Sequence, residues 1–222
     1  IYPSLCSPPH TQDWTDVTIN SRLSVETLRR IKIQETFNKE IEKLIEIELK
    51  RIEQYAVDVT LDPDTAHPNL TLTDDGKEVN HVDKEQNLPD NPERFDYFIC
   101  VLGKEGFSSG RFYYEVLVRG KTEWYLGVAR ESINRKGDIT LSPGDGFWCL
   151  RLLNENEYSP CESPRASLSL KRAPQKVGVF VDYEEGLISF YDVDAKSHIY
   201  SFTGQTFAEE LYPLFSPSLN DE

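Results

Sequence analysis

No stretch of this 222-residue sequence carries the roughly 18 consecutive apolar residues that a membrane-spanning helix needs. The start, Ile1-Tyr2-Pro3, has neither the basic segment nor the apolar segment of a secretory leader. Methionine is absent, so no initiator opens the chain, and the sequence is expected to be a piece of something longer. Basic charge is scarce: 24 Lys and Arg face 38 Asp and Glu, a net charge of −14. A chain so acidic lacks the basic face that displaces counterions from nucleic acid, and it is repelled by anionic membranes. Cysteine is sparse and unpaired in pattern. The residues Cys6, Cys100, Cys149 and Cys161 show no C-x₂-C spacing, and His10, His67, His81 and His198 do not complete a metal-ligand spacing with them. Isolated reduced thiols in a cytoplasmic protein are the expectation, with no cofactor and no metal. Several catalytic signatures are missing too: there is no H-E-x-x-H, no G-x-G-x-x-G and no phosphate-binding P-loop. Asp182, Glu184 and Glu185 crowd together, but they abut a glycine turn and read as a strand end. The chain is not expected to be an enzyme.

What is present divides into segments of different periodicity. Residues 1–23 read as a polar linker around the breaker cluster Cys6-Ser7-Pro8-Pro9-His10-Thr11. Residues 24–56 contain no Gly or Pro. Ser24 is a candidate N-cap, with Glu26 in the first turn, where the helix dipole favours an anion. Phe37, Ile41, Leu44, Ile45, Leu49, Ile52 and Ala56 recur in steps of three and four, the period of one helical face. Opposed charges such as Glu46 and Lys50 support the solvated side. A lone helix of about 50 Å, at about 1.5 Å per residue, cannot bury its own stripe. It needs a second copy, an upstream coiled coil, or the domain that follows.

At Tyr55–Leu61 the period drops to two, with Val57, Val59 and Leu61 alternating against Asp58 and Thr60. From there on, Gly and Pro punctuate short β-branched and aromatic runs. Candidate strands are Leu70–Thr73, Tyr97–Leu102, Phe112–Val118, Glu123–Ala129, Phe147–Leu152, Lys176–Val181, Leu187–Asp192 and His198–Phe202. Many short strands at this spacing predict a mainly β fold, a two-sheet antiparallel sandwich over residues 57–222 preceded by a long α-helix. Residues 61–222 hold 16 basic and 28 acidic side chains, net −12, which favours basic or neutral protein surfaces as partners. Asn69-Leu70-Thr71 is a glycosylation sequon that reads, without a secretory leader, as a turn before a strand.

Several blocks carry a resemblance. They are Leu61-Asp62-Pro63-Asp64-Thr65-Ala66, Gly106 to Val116, Trp124-Tyr125-Leu126-Gly127-Val128-Ala129, Gly146-Phe147-Trp148, Val177 to Glu184, Ser189-Phe190-Tyr191-Asp192, and Tyr212-Pro213-Leu214-Phe215-Ser216-Pro217. In this order they resemble the PRY-SPRY (B30.2) domain. The helix before them is similar to the end of the coiled coil in tripartite-motif (TRIM) ubiquitin ligases, nearest to the bony-fish branch. The resemblance implies a protein-interaction module that binds a target through loops at one end of the sandwich, in innate immunity. The helix would hold the chain as a homodimer. The zinc-bound RING and B-box that lie upstream in that family are not in this sequence. The same domain also closes butyrophilin-like receptors and some immune sensors, and a self-association module without a specific ligand is a third reading. Family members usually continue beyond the terminal Asn-Asp with a further strand, whereas this sequence stops at Glu222; an open edge, or one filled by another segment, is therefore expected.

The best-characterised antibody-binding member of that family uses a pocket whose positions fall here on Tyr125, Arg151, Leu153 and Leu219. None of the four matches its residue type, so a ligand other than antibody is expected. Arg151 with Tyr125 is the pair of most interest, because planar hydrogen bonding and contact area make such residues interface anchors. Trp124 and Trp148 read as sandwich core. Thr73–Arg94 is polar and turn-rich, and its Asp75 and Lys77 are candidate partner contacts. His81 in that segment reads as an inert surface histidine.

Overall fold

The computed structural model describes residues 21–218 apart from Arg165 and Lys171, and the side chains from residue 25 onward. The chain divides into two compact units, residues 1–41 and 42–222. Helix α1 runs Ser21–Ile52 and passes into a 3₁₀ turn at Glu53–Tyr55. Ser24 therefore lies inside the helix, and the first turn contains no acidic residue. Residues 25–41 of the first unit leave Val25, Leu28, Ile31, Ile33, Phe37 and Ile41 exposed.

In the second unit the strands follow in order: β1 Leu70–Leu72, β2 Val79–His81, β3 Val101–Leu102, β4 Arg111–Leu117, β5 Trp124–Arg130, β6 Phe147–Leu153, β7 Glu157–Pro160, β8 Lys176–Asp182, β9 Leu187–Asp192, β10 Ser197–Phe202 and β11 Leu211–Ser216. They form a four-stranded sheet, β10-β9-β8-β4, a five-stranded sheet, β3-β11-β5-β6-β7, and the β1-β2 hairpin. Every strand pairing is antiparallel. This is the mainly β sandwich with a preceding helix that the periodicity predicts.

The alternation of side chains explains the closure. Phe112 and Tyr114 on β4, Val179 and Val181 on β8, and Ile188 and Phe190 on β9 face Trp124, Leu126, Val128, Trp148, Leu150 and Leu152 of the other sheet in one buried cluster. Both predicted core tryptophans are therefore core. Burying a side chain of this size stabilises the fold by about 1.5–3 kcal/mol. The glycine of the Trp124–Val128 block has a steric cause: a Cβ on Gly127 would lie 2.1 Å from the Trp148 carbonyl oxygen. On its other side, the Gly127 carbonyl accepts the buried Tyr114 hydroxyl at 2.6 Å.

The outer faces are covered as well. Leu49 and Ile52 of α1 pack on Tyr113, Phe180 and Tyr191 of the four-stranded sheet, with half-buried Ile45 and Tyr55 beside them. Glu46 is tied to Lys196 at 2.8 Å, and Arg111 reaches both Asp182 (2.6 Å) and the Tyr55 hydroxyl (3.2 Å). Ala56 is exposed and its side chain is not part of the buried stripe. Its backbone forms a parallel bridge to Tyr113, and the Val57 N–H donates to the Tyr113 carbonyl at 2.9 Å, so this segment meets the free edge of β4.

Three strands escape the sequence reading, and one is shorter than expected. Pro213 interrupts the pattern of β11, yet the strand lies between β3 and β5. The Pro213 carbonyl accepts Gly103 N–H at 2.8 Å, on the side where β3 has just ended, so the missing proline N–H deprives no ladder partner. β2 is too short to show a period, and β7 ends in Pro160. Within the expected Tyr97–Leu102 strand only two residues pair, because the Cys100 carbonyl accepts His67 N–H and Leu102 N–H donates to the Thr65 hydroxyl. His81 is buried, not on the surface, because β2 turns it under the hairpin. Asn69 donates its amide to the Val82 and Asp83 carbonyls, a structural role.

Ile52 is fully buried, so Ile52→Ala is expected to cost about 2–5 kcal/mol in urea unfolding. A second expectation concerns pH. The His67 ring accepts Asn69 N–H at Nδ1 (3.0 Å) and faces the Asp96 carbonyl with Nε2 (3.3 Å), the arrangement of a neutral ring protonated at Nε2. Burial holds His67 below the ordinary histidine value, and the same is true of His198. The unfolded chain therefore binds more protons, and stability falls as pH drops below about 6.5. Denaturation midpoints at pH 7.5 and 5.5 check this, and His67→Gln is expected to weaken the dependence.

Candidate functional site

Two of the sequence-predicted residues, Tyr125 and Arg151, meet in one row at one end of the five-stranded sheet. Ser216 of β11 lies opposite Tyr125 of β5, Tyr125 opposite Arg151 of β6, and Arg151 opposite Ser159 of β7. Because neighbours in register share a face, the Tyr125 and Arg151 side chains lie side by side on the outer surface. Both are half-buried, as is Leu153, two residues further along β6 on the same face.

Packing fixes each side chain. The Tyr125 ring stands edge-on to Phe98, centroids 5.3 Å apart, against a buried cluster of Cys100, Cys149, Cys161, Phe147 and Leu214. Burial raises the Tyr125 phenol above its ordinary value and the Arg151 charge opposes that rise, so the hydroxyl stays protonated and available as a donor at neutral pH. Arg151 Nε donates to the Ser159 hydroxyl at 2.9 Å, which orients the guanidinium along the row. Ser218 donates from its hydroxyl to Glu123 at 3.1 Å, so the chain beyond β11 runs past the start of β5. Leu219 itself lies outside the described residues.

Asp75 and Lys77 sit elsewhere, in the turn between β1 and β2. Asp75 accepts the Thr73 hydroxyl at 2.6 Å and Lys77 N–H at 3.1 Å, and the Thr73 contact holds its carboxyl below the ordinary range. The Lys77 ammonium pairs with Asp58 and donates to the Val59 carbonyl. Both therefore stabilise the turn locally. Arg94, at the end of the Thr73–Arg94 segment, is likewise tied down: it is buried and donates to the Pro89, Pro63 and Ala66 carbonyls. The sequence reading missed this staple, because a lone arginine in a polar run carries no pattern.

Chemically, the row offers hydrogen-bond donors beside aromatic and aliphatic surface. That combination is the one from which protein-contact surfaces are commonly built. Among the described residues no group of three His, Cys, Asp or Glu could hold a metal ion, and no helix is long and apolar enough to cross a membrane.

Comparison with known proteins identifies the family. The SPRY domain family matches residues 111–222, and the SPRY-associated domain (PRY) matches residues 59–107. This chain belongs to the SPRY family. Its PRY-SPRY region is of the kind that TRIM proteins carry. It is 50% identical over 173 residues to the mouse erythroid membrane-associated protein, covering 78% of this chain and 30% of that protein. It is 48% identical over 163 residues to the rat E3 ubiquitin-protein ligase TRIM69, covering 73% and 32%. The TRIM65 PSpry domain shares the fold, with a TM-score of 0.65 at 21% identity over 75% of this chain and 88% of that one. The chain thus spans about a third of the length of these two curated relatives.

Since Arg151 points outward and its contacts to Ser159 and Tyr125 lie on the half-buried outer face, Arg151→Ala is expected to shift folding stability by no more than about 1 kcal/mol. Gly127→Ala, by contrast, is expected to prevent folding. Circular dichroism melts of the two variants beside the parent check the contrast.

Proposed function

We propose that this chain is the target-recognition module of a TRIM-type ubiquitin ligase. In this reading it binds a protein partner through the row of Tyr125, Arg151 and Leu153, with Leu219 completing the surface. The observation that carries the reading is the register pairing of Tyr125 with Arg151 on an outward face, at the end where the resemblance places recognition. Membership of the SPRY family and the likeness to a ubiquitin ligase support it. The resemblance is also what supports a cytoplasmic role in innate immunity.

The helix supports a second element of the proposal. Val25, Leu28, Ile31, Phe37 and Ile41 form an exposed apolar set on residues 25–41. A second copy covering that stripe would present two recognition rows at once, and two weak contacts then act as one avid contact where the target's geometry allows. A competing reading, the tail of a butyrophilin-like receptor, draws on the 50% identity to the erythroid membrane-associated protein. Residues upstream of Ile1 separate the two: RING cysteines support the ligase, and a membrane span supports the receptor.

The test is affinity capture from cell extract with the 222-residue chain beside a Tyr125→Ala, Arg151→Ala double variant. A target retained by the parent and weakened about tenfold or more in the variant is the expected result. Equal retention would remove the row as the site. For the helix, sedimentation of the parent is expected to give a dimer and Phe37→Asp a monomer; a monomeric parent would sink the avidity argument.

A further inference from the structure

At the far end of β5, about 17 Å from Tyr125 at about 3.4 Å per residue, Arg130 divides two clefts. One, of about 310 Å³, runs between Arg130, Trp148, Phe207, Glu209 and Leu211. The other, of about 370 Å³, is lined by Arg130 with Asn134, Asp138, Ile139, Asp145 and Phe147. Each is at the lower end of the volume that ligand sites occupy, about 300–1,000 Å³.

The polar groups of the first cleft are nearly all committed. The Trp148 indole donates to Gln205 Oε1 at 2.9 Å, and Gln205 Nε2 donates to the Thr203 carbonyl. The Glu209 carboxylate accepts both the N–H and the hydroxyl of Ser132, each at 2.9 Å. These bonds, with the nearby Arg130 charge, hold its carboxyl below the ordinary range. Arg130 differs. Its Nε is buried without a hydrogen-bond partner among the described residues. Its stem and Nε lie over Gly146, where an added Cβ would be 2.6 Å from both Arg130 Cγ and Nε. A buried donor left unpaired costs about 1–3 kcal/mol, which an acceptor in the cleft would recover once the Arg130 side chain shifts to turn its Nε toward it. Beside it stands an aromatic wall, with Trp148 edge-on to Phe207 at 5.0 Å and Tyr183 next to Phe207 at 5.4 Å.

We propose that this pole of the sandwich is a second binding site, for an extended peptide segment of a partner protein that carries an apolar residue and a basic residue. A main-chain carbonyl of the peptide accepts from Arg130 Nε. Its apolar side chain lies on Trp148 and Phe207. Its basic side chain faces the carboxylates of the adjoining cleft, Asp138 and Asp145. Two observations select a peptide over a compact ligand or a free anion. The clefts lie in tandem on either side of one arginine, so a chain crossing Arg130 fills both. The lining carboxylates and the net charge of −12 over residues 61–222 repel anions. This site is independent of the Tyr125 and Arg151 row.

The test is selection of a randomised, phage-displayed octapeptide library on the 222-residue chain. Synthetic peptides from the selection are then titrated by fluorescence polarisation against variants. Enriched sequences are expected to pair an aromatic or aliphatic residue with Lys or Arg. They are expected to lose about tenfold or more in affinity on Arg130→Lys, and the same on Ala208→Trp, which fills the cleft from an exposed position. Leu117→Ser, on exposed surface, serves as the matched control. The Ala208 variant keeps the test decisive if Arg130→Lys fails to fold. Acidic enriched sequences, affinity unchanged by Ala208→Trp, affinity lost only on Arg151→Ala, or no enrichment over the Ala208→Trp chain would each overturn the proposal.

Discussion

Closure of two apolar sheet faces over a single layer of interleaved side chains is the constraint from which the rest follows. Phe112, Tyr114, Phe190 and Ile188 on one sheet can meet Trp124, Trp148, Leu126 and Leu150 on the other only if every strand keeps its register. A slip of one residue would turn the core outward. The close approach of Gly127 to the Trp148 carbonyl enforces that register at the centre. With the middle of the sandwich so determined, variation is left to its two ends and its outer faces.

Each outer face is then solved differently. The last turns of α1 cover the four-stranded sheet through Leu49 and Ile52, and the ion pairs Glu46–Lys196 and Arg111–Asp182 orient the contact more than they strengthen it. On the five-stranded sheet, a satellite cluster around Phe95, Phe147 and three buried cysteines covers part of the face. Those thiols are burial partners: the Cys100 and Cys149 thiols are pushed well up by desolvation, which suppresses the reactive thiolate. The row of Tyr125, Arg151 and Ser159 lies beside this cluster on a rigid ladder, where side-chain identity can change without disturbing the core.

The fold was largely legible because its signal is alternation. Leu187–Asp192 emerges with the expected bounds, and most other strands differ by a residue or two. What escaped did so for physical reasons. Pro213 hides β11 because its N–H is needed nowhere, and a strand as short as Val79–His81 shows no period. Ser24 looks like a cap, but helix start signals are local and the helix begins at Ser21. Of the candidate site, Tyr125 and Arg151 were legible through the resemblance and then joined by register. Asp75 and Lys77 lie in a polar, turn-rich run, a signal that does not say which end of the fold they occupy, and the structure sets them in the turn between β1 and β2. The Arg130 clefts had no sequence signal, since they arise where residues far apart in sequence converge.

The most direct test of the central claim, that a rigid sandwich recognises its target through one end row, is hydrogen exchange by mass spectrometry on the chain with and without its captured target. The account predicts slower exchange at residues 123–125, 151–159 and 216–218 in the complex, with the central strands unchanged. Unaltered exchange in all three segments of a saturated complex would contradict it.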